Sequence, residues 1–287
     1  SRSAEIGFYT SVEFPVASAV KDSYLFIADM YGGLKVASIA EPSTPVPVVT
    51  VSSLVSPRRI VVDGDYAYVN HMQSLSVFDV SNPASPVLLD TIQVTTDDGG
   101  QAEGLAVLGN LVFVARFNDG FAVVNAAEKS SLQLVHQTTP AKAAELRQVY
   151  AVHAIDRSGT RILAVGALDR TELYTVSGTD SVPSLTLRSG SMPYAMDVKL
   201  AGEVLYITSN WYLYAYGTAN LGSPVLLDTV QPSDAAGPGM FALSGDKAYV
   251  TLGGLGFAVV DVSNPSSLEV KQVYTVPGES AGISVSG

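Results

Sequence analysis

The sequence contains no cysteine, which excludes disulfide bonds and any metal or redox chemistry that depends on a thiol. Cations are also scarce: 16 Lys and Arg residues stand against 27 Asp and Glu residues, and the net charge is −11. An acidic surface repels phosphate backbones, so we expect no nucleic-acid partner. No apolar run approaches the roughly 18–20 residues of a membrane helix, so we predict no membrane span.

Apolar residues are what the sequence has in quantity. Hydrophobic residues make up 47% of the 287 positions and charged residues only 15%. That is enough apolar material for a buried core and too little charge for disorder. The low lysine content, together with abundant Ser, Thr, Gly and Val, favours an exported protein. We therefore expect a folded chain that is secreted, periplasmic or held at the cell surface.

A five-residue motif, DVSNP, occurs at residues 79–83 and again at 261–265. Each copy ends one alternating apolar run and precedes another, as in LSVFDVSNPASPVLLDTI (75–92) and FAVVDVSNPSSLEVKQVYTV (257–276). Self-similarity at a period of about 40–45 residues is typical of repeat arrays and β-propellers. Aspartate accepts backbone N–H bonds two residues on, and proline stops a strand, so the motif predicts a connection between strands.

Six units of about 45 residues lie between residues 16 and 276, each with four short strands. Gly beside Asp, Asn or Ser marks a tight turn between the first and second strands, because a positive φ is needed there. The predicted second strands lie at 24–29, 66–70, 111–115, 161–166, 204–209 and 247–252. The predicted third strands lie at 34–39, 75–80, 121–126, 172–176, 213–217 and 257–262. The predicted fourth strands lie at 46–51, 87–92, 132–137, 184–189, 225–230 and 270–276. Only residues 141–152 could hold a helical turn, and their second half reads equally well as a strand.

Four-stranded units that cannot bury their faces alone must pack against one another, and a closed ring protects the outer units. We therefore predict an all-β fold: a single β-propeller domain over residues 1–287 with four-stranded antiparallel blades, six in number, with seven as the alternative. Residues 4–13 resemble a fourth strand, and residues 279–286 resemble a first strand. These overhangs could close the ring internally, complete the edge of a neighbouring subunit, or form a truncated seventh blade. We favour internal closure.

The repeat resembles that of the LVIVD-repeat family of β-propeller proteins. The second and sixth units match its LxVxDVSNPxxPxLL pattern well, and the fifth, with GSPVLLDTV (222–230), matches it in part. The first, third and fourth units depart from the aspartate, with Ser38, Asn125 and Tyr174 at the aligned position. The resemblance implies the propeller fold and an exported or surface-associated protein of a bacterium or archaeon. It implies no activity and carries no catalytic residues.

One face of a propeller is formed by the loops between second and third strands and by the loops that lead into the first strands. Aromatic residues beside Arg and Asn are typical of recognition surfaces. Arginines just before a first strand could also hold a carboxylate or another anion near the mouth of the ring. The candidate binding residues of this face are Tyr31, His71, Arg116, Phe117, Asp169, Arg170, Trp211, Tyr212, Arg58 and Arg59.

Signals for metal or catalytic chemistry are weak. Asp97, Asp98 and Glu103 lie in one glycine-bearing loop and could hold calcium, but their spacing fits no EF-hand loop, so an ordinary solvated loop is favoured. Residues 278–282 read GESAG, a formal match to G-x-S-x-G without the helix and the later histidine that the motif requires. The three histidines lie in different units and suggest no shared metal, although His153 could point into the central channel near Asp156. We predict no cofactor.

Two classes of function remain. The first is a non-enzymatic binding or scaffold propeller, outside the cytoplasm, that associates with a protein partner or with itself in a surface assembly. The alternative is a metal-dependent, lactonase-like hydrolase with its metal in the central channel. Such an enzyme needs several oxygen or nitrogen ligands from the inner strands, and those strands supply few beyond His153 and Asp197. The binding module is therefore the favoured prediction.

Overall fold

Twenty-four strands in the computed structural model form six sheets, each of four antiparallel strands hydrogen-bonded in chain order. The structure describes residues 9–95, 102–276 and 282–285. The first strands of all six sheets line one central cavity, so the sheets are blades around a common channel. The prediction of a six-bladed all-β propeller is confirmed. No helix in the part of the chain that the structure describes is long and apolar enough to cross a membrane.

The strands follow one another blade by blade. Blade 1 contains β1 (Pro15–Lys21), β2 (Tyr24–Asp29), β3 (Gly33–Ser38) and β4 (Val46–Val51), and blade 2 contains β5 (Pro57–Asp63), β6 (Tyr66–His71), β7 (Ser74–Asp79) and β8 (Val87–Gln93). Blade 3 contains β9 (Leu105–Leu108), β10 (Leu111–Ala115), β11 (Phe121–Asn125) and β12 (Gln133–Gln137), and blade 4 contains β13 (Val149–Arg157), β14 (Thr160–Ala167), β15 (Thr171–Thr179) and β16 (Val182–Met192). Blade 5 contains β17 (Asp197–Ala201), β18 (Val204–Ser209), β19 (Tyr212–Gly217) and β20 (Val225–Val230), and blade 6 contains β21 (Phe241–Ser244), β22 (Lys247–Thr251), β23 (Phe257–Asp261) and β24 (Glu269–Tyr274).

The predicted turn chemistry explains the hairpins. The turns between first and second strands begin with a residue of positive φ in every blade: Asp22, Gly64, Gly109, Ser158, Gly202 and Gly245. The DVSNP motif forms the expected turn, since Asp79 Oδ1 accepts from the Ser81 N–H at 2.8 Å and Asp261 Oδ1 from the Ser263 N–H at 3.0 Å. Blade 4 lacks the motif, and there β15 and β16 extend into a hairpin around residues 180–181 where a polar connection was predicted.

The predicted helical turn forms before blade 4. Helix α1 (Pro140–Leu146) is capped by Thr139, whose Oγ1 accepts from the Lys142 N–H at 3.3 Å. A side-chain acceptor at this position satisfies one of the free N–H groups of the first turn. The helix ends at Arg147, whose φ is 57°, and β13 follows at once. The first half of the segment 141–152 is thus helical, and its second half belongs to the first strand of blade 4.

Apolar side chains fill the junctions between consecutive blades. Five clusters of buried residues join blade 1 to 2, 2 to 3, 3 to 4, 4 to 5 and 5 to 6. Phe26 and Phe78 meet in the first of them, and Phe113 and Phe121 lie in the third. Burial of large apolar side chains in these junctions is the main stabilising term of the ring.

Two junctions are also held by an aspartate on the fourth strand. Asp90 Oδ2 of blade 2 accepts from the Leu132 N–H of blade 3 at 2.7 Å, and Asp228 Oδ2 of blade 5 accepts from the Leu268 N–H of blade 6 at 2.6 Å. Leu132 and Leu268 both directly precede the residue that begins the pairing of the fourth strand with the third. Blades 1, 2 and 5 carry proline there, namely Pro45, Pro86 and Pro224. Proline has no N–H to donate, so an aspartate could not form this bond before blades 1, 2 and 5.

The junction between blade 6 and blade 1 is different. Among the described residues no cluster of buried side chains joins these two blades, and residues 282–285 lie there against β1. A Cβ on Gly282 would lie 2.6 Å from the carbonyl oxygen of Val16, and Ser284 Oγ lies 2.7 Å from Ser18 Oγ. A cavity of about 430 Å³ separates this segment from Phe257 and Tyr274, whose rings stack at 5.0 Å.

The predicted terminal strands are not seen in the described residues. Residues 9–13 form no strand, because the N–H of Glu13 is turned toward the Asp29 carboxylate, at 2.7 Å, and not toward a neighbouring strand. Residues 282–285 contact β1 of their own chain without an assigned strand. The rest of the two predicted segments, 4–8, 279–281 and 286, lies outside the described residues.

Candidate functional site

The two faces of the ring differ in their exposed apolar side chains. We call the face made by the loops between second and third strands, with the segments that lead into first strands, the loop face. Eight large apolar side chains are exposed there: Phe14, Tyr31, Val55, Met72, Leu168, Met196, Trp211 and Tyr212. On the described connections of the opposite face, no large apolar side chain is exposed. The remaining exposed apolar residues lie on the outer, fourth strands, at Val46, Val48, Val87, Leu88, Leu134, Val182, Leu187, Val225, Leu226 and Val273.

The eight residues form two groups. Phe14, Tyr31, Val55 and Met72 belong to blades 1 and 2 and their connection, whereas Leu168, Met196, Trp211 and Tyr212 belong to blades 4 and 5 and theirs. In a ring of six blades these pairs of blades lie on opposite sides of the channel. Tyr31 is the most exposed of the eight, at 72%, and its ring packs against Phe14 with centroids 5.7 Å apart.

Two predicted contact residues turn inward. Arg116 is only 2% exposed, forms an ion pair with Asp119 at 3.3 Å, and keeps a buried Nε without a hydrogen-bond partner. Burial lowers the pKa of this guanidinium, and Asp119 acts against the shift. His71 Nε2 lies 2.8 Å from Ser76 Oγ, and burial lowers the pKa of the ring.

The predicted pair Asp169 and Arg170 belongs to an ionic cluster on blade 4. Arg170 contacts Asp169 at 3.2 Å and Glu172 at 2.9 Å, and the Glu172 carboxylate also accepts from Lys142 at 2.7 Å and from the Tyr174 hydroxyl. Glu172 is 1% exposed, so these bonds replace its water. The sequence analysis missed Glu172, although a strand places it on the same face as Tyr174, which is also buried.

Phe117 and Arg58 lie near the mouth of the channel. Phe117 has a φ of 48°, packs edge-on against Tyr150 at 5.5 Å, and its backbone bridges to Val149 of the next blade. Arg58 lies 4.0 Å from Glu103. The other calcium candidates, Asp97 and Asp98, lie outside the described residues, as do residues 278–281 of the GESAG match. Within the described ranges no three His, Cys, Asp or Glu residues lie close enough to hold a metal.

The channel itself contains a cavity of about 480 Å³. Three polar residues occupy the same level of its wall, because each lies four positions before the end of its first strand: Arg59 on β5, His153 on β13 and Asp197 on β17. Ala17 and Gly104 occupy this level on blades 1 and 3. We call these three residues the polar layer.

Asp197 is the acidic member of the polar layer. It is 6% exposed and accepts from the N–H of Phe241 at 3.1 Å and from Lys199 Nζ at 2.9 Å, so it also links blade 5 to blade 6. Asp156, the predicted neighbour of His153, instead closes its own turn by accepting from the Gly159 N–H at 2.7 Å. The acid near His153 is therefore Asp197.

His153 is neutral in the fold. Its Nδ1 accepts from the Leu200 N–H of blade 5 at 3.0 Å, so the proton must be on Nε2. Burial is the main cause that lowers the pKa of His153 to about 3, and Lys199 adds to the effect while Asp197 opposes it. The bond from Leu200 to His153 links blades 4 and 5. The Asn70 side chain links blades 2 and 3 in the same way, by donating to the Gly104 carbonyl.

We expect acid to destabilise the protein through His153. The unfolded chain binds a proton below about pH 6.5 and the folded chain does not, so stability is complete above pH 6.5 and falls as the pH approaches 3. Each histidine held neutral adds a slope of about 1.4 kcal/mol per pH unit. Urea denaturation at pH 7.5, 5.5 and 4.5 should show a shallower slope for His153→Asn, in which the amide oxygen can still accept from Leu200. Identical slopes for the two proteins would contradict the assignment.

Solved structures resemble the chain over most of its length. A protein from Lactobacillus plantarum has a TM-score of 0.77 at 15% identity, covering 95% of this chain and 88% of its own. The Sqt1 protein of Saccharomyces cerevisiae has a TM-score of 0.68 at 12% identity, covering 96% and 78%. A hypothetical selenium-binding protein from Sulfolobus tokodaii has a TM-score of 0.67 at 12% identity, covering 87% and 74%. At these identities the likeness shows the fold alone. No curated protein sequence matches the chain significantly.

A family model for the LVIVD repeat matches four stretches, residues 18–52, 56–94, 99–139 and 240–276. These stretches contain blades 1, 2, 3 and 6. They include the first and third units, which carry Ser38 and Asn125 in place of the motif aspartate, and they do not include the fifth. The matched stretches together make up more than half of the sequence, and the chain therefore belongs to the LVIVD-repeat family.

Proposed function

We propose that this protein is a non-enzymatic binding propeller that acts outside the cytoplasm and holds a protein partner on its loop face. The observation that carries the proposal is the difference between the two faces: all exposed large apolar side chains of the described strand connections lie on the loop face. Exposed apolar patches on soluble proteins mark interaction sites, and Trp and Tyr are the residues most enriched at binding hot spots.

The arrangement of these residues supports a broad contact. One group lies on blades 1 and 2 and the other on blades 4 and 5, so a partner that covers the channel mouth meets both. Two cations of this face are already engaged, Arg58 with Glu103 and Arg170 with Glu172. With a net charge of −11, the chain favours a partner whose rim is basic, since complementary charge speeds association.

Site-specific crosslinking tests the proposal. A photoreactive phenylalanine placed at Tyr31 or at Trp211, in the native host, should yield one discrete crosslinked protein. The same group placed at Glu203, an exposed turn residue of the opposite face, should not. Crosslinking of equal strength from both faces would contradict the proposal, and a product formed only by two copies of this chain would replace the foreign partner with self-association. Recovery of the protein only with the cytosol would contradict its proposed location.

The purified partner then allows a quantitative test. We expect Trp211→Ala to weaken its binding about tenfold or more, because a hot-spot tryptophan contributes about 1.4 kcal/mol or more to the binding free energy. Val182→Ala is the matched control, since Val182 is exposed but lies on an outer strand. Titration calorimetry would measure both affinities. Equal weakening by the two substitutions would place the contact on the rim of the propeller and refute the loop-face proposal.

A further inference from the structure

We propose that the central channel binds a small organic carboxylate, whose charged end pairs with Arg59 and whose apolar body fills the cavity. The site is separate from the eight exposed residues of the loop face and requires no protein partner. It is built from three features of the channel: a cation that no salt bridge engages, a neutral hydrogen-bond donor at the same level, and an apolar wall.

Arg59 lines the cavity, where the charges of Asp197 and Glu103 attract it without forming a salt bridge with it. Its guanidinium donates to the carbonyl oxygen of Arg58 at 2.9 Å, and no ion pair joins it to any Asp or Glu in the part of the chain that is described. The other cations nearby are engaged: Arg58 lies beside Glu103, and Lys199 contacts Asp197. A half-buried guanidinium in a low-dielectric channel is costly unless an anion accompanies it.

Asp197 attracts Arg59 electrostatically but forms no ion pair with it. Its oxygens already accept from Lys199, from the Phe241 N–H and from the Val198 N–H. The charged side chains that line the cavity are Arg59, Lys199 and Asp197, so with His153 neutral the wall carries one net positive charge, in a chain whose overall net charge is −11. A single unpaired guanidinium suits a single carboxylate, because its planar fork matches the two carboxylate oxygens.

His153 supplies the second donor. Since Nδ1 accepts from the Leu200 N–H, the Nε2 proton is available to a ligand in the cavity that the ring lines. His153 and Arg59 lie at the same level of the channel, on blades 4 and 2. A ligand at this level of the cavity thus has an ion-pairing fork on blade 2 and an N–H donor on blade 4.

The rest of the cavity lining determines that the uncharged part of the ligand is apolar. Apolar side chains line it, among them Leu105, Val107, Ala242, Ile283 and Val285. A volume of about 480 Å³ lies within the usual range for small-molecule sites, which combine mostly apolar walls with a few placed polar groups. The chemistry favours an aliphatic or aromatic monocarboxylate over a multiply charged anion such as phosphate, which requires more than one cation.

Titration calorimetry of the intact chain with hexanoate, and with its neutral counterpart hexanamide, tests the site. We expect hexanoate to bind and hexanamide to bind at least tenfold more weakly. Arg59→Gln should abolish this preference, and Arg59→Lys should retain part of it. Arg188→Gln, at an exposed arginine on the outer strand of blade 4, is the matched control and should behave as the wild type.

Three results would overturn the proposal: equal binding of hexanoate and hexanamide to the wild type, unchanged hexanoate affinity in Arg59→Gln, or displacement of hexanoate by inorganic phosphate at lower concentration. The comparison of the two ligands on the wild type keeps the test valid even if Arg59→Gln fails to fold. An acetylated peptide ending in glutamate is a further probe, and Arg59-dependent binding of the peptide without binding of hexanoate would replace the free acid with a partner's carboxylate. Trp211→Ala should leave hexanoate binding unchanged. The channel proposal and the loop-face proposal can therefore be refuted separately.

Discussion

Replacement of Gly256 by alanine is expected to destabilise the protein by about 3 kcal/mol or more, a severe loss for one methyl group. Gly256 ends the loop between β22 and β23 with a φ of 106°, a conformation that residues with a side chain rarely adopt. A Cβ there would overlap the carbonyl oxygen of Tyr274 and would lie 2.9 Å from the backbone nitrogen of Val276. Both neighbours are backbone atoms of β24 and of the residues directly after it, so neither can rotate away.

The same loop provides the control. Gly254 has no atom within 4 Å of the position that a Cβ would take and no positive φ. Gly254→Ala should therefore change the free energy of unfolding by no more than about 0.5 kcal/mol. Urea denaturation of the two variants measures the difference. Similar midpoints for both would mean that the loop of blade 6 relaxes freely, contrary to its tight packing against β24.

Asp29→Ala is expected to cost about 3–5 kcal/mol, because it removes the acceptor of two backbone N–H groups and the charge partner of the largely buried Lys35. The Asp29 side chain is fully buried and accepts from the N–H groups of Glu13 at 2.7 Å and Phe14 at 2.8 Å. Lys35 Nζ lies 3.2 Å from the same carboxylate. Burial acts to raise the pKa of Asp29, but these backbone bonds and Lys35 outweigh it and lower the pKa. The stabilisation is therefore present above about pH 3.8 and is lost as the pH falls through the lowered pKa.

Two variants separate charge from hydrogen bonding at this position. Asp29→Asn keeps an oxygen acceptor and should cost less than Asp29→Ala, since Asn70 has the corresponding role in blade 2, where its Oδ1 accepts from the Arg59 N–H at 2.6 Å. Asp65→Ala is the control, because Asp65 is exposed and its ion pair with Lys21 is worth at most about 1 kcal/mol. Thermal unfolding at pH 7 should give the lowest midpoint for Asp29→Ala, a higher one for Asp29→Asn and the highest of the three for Asp65→Ala. A loss as small as that of Asp65→Ala would show that Asp29 does not hold the segment before β1.

The strands were predictable because their signals are local. Gly64 and Gly109, each beside Asp or Asn, determine a hairpin through the residues of the turn alone. Asp79 determines the turn after the third strand through a bond to the residue two positions on. Blade 4 shows the limit of the pattern: it lacks the DVSNP turn, and its third and fourth strands extend further than the repeat predicted.

The sites were less predictable because they depend on contacts between blades. Arg116 resembles a surface residue in sequence, and only the ring shows that it is buried beside Asp119. Asp29 and Asn70 stand where loops begin, yet they are the buried ends of second strands. The polar layer brings together Arg59, His153 and Asp197 from three blades, and no spacing along the chain reveals that they share one level. The sequence pattern predicts which residues are adjacent along a strand, but it does not predict which residues of different blades lie at the same level of the channel.

The two aspartate-linked junctions are related by an approximate twofold axis along the channel. They lie three blades apart, from blade 2 to 3 and from blade 5 to 6, and Pro86 and Pro224 hold the corresponding positions in blades 2 and 5. Units 3 and 6 also share the segment GFAVV, at 120–124 and 256–260. The ring can thus be regarded as two halves of three blades each, related by a half-turn about the channel. That half-turn carries the blades of one apolar group, 1 and 2, onto the blades of the other, 4 and 5, so a partner with matching symmetry would meet the two groups at equivalent positions of the ring.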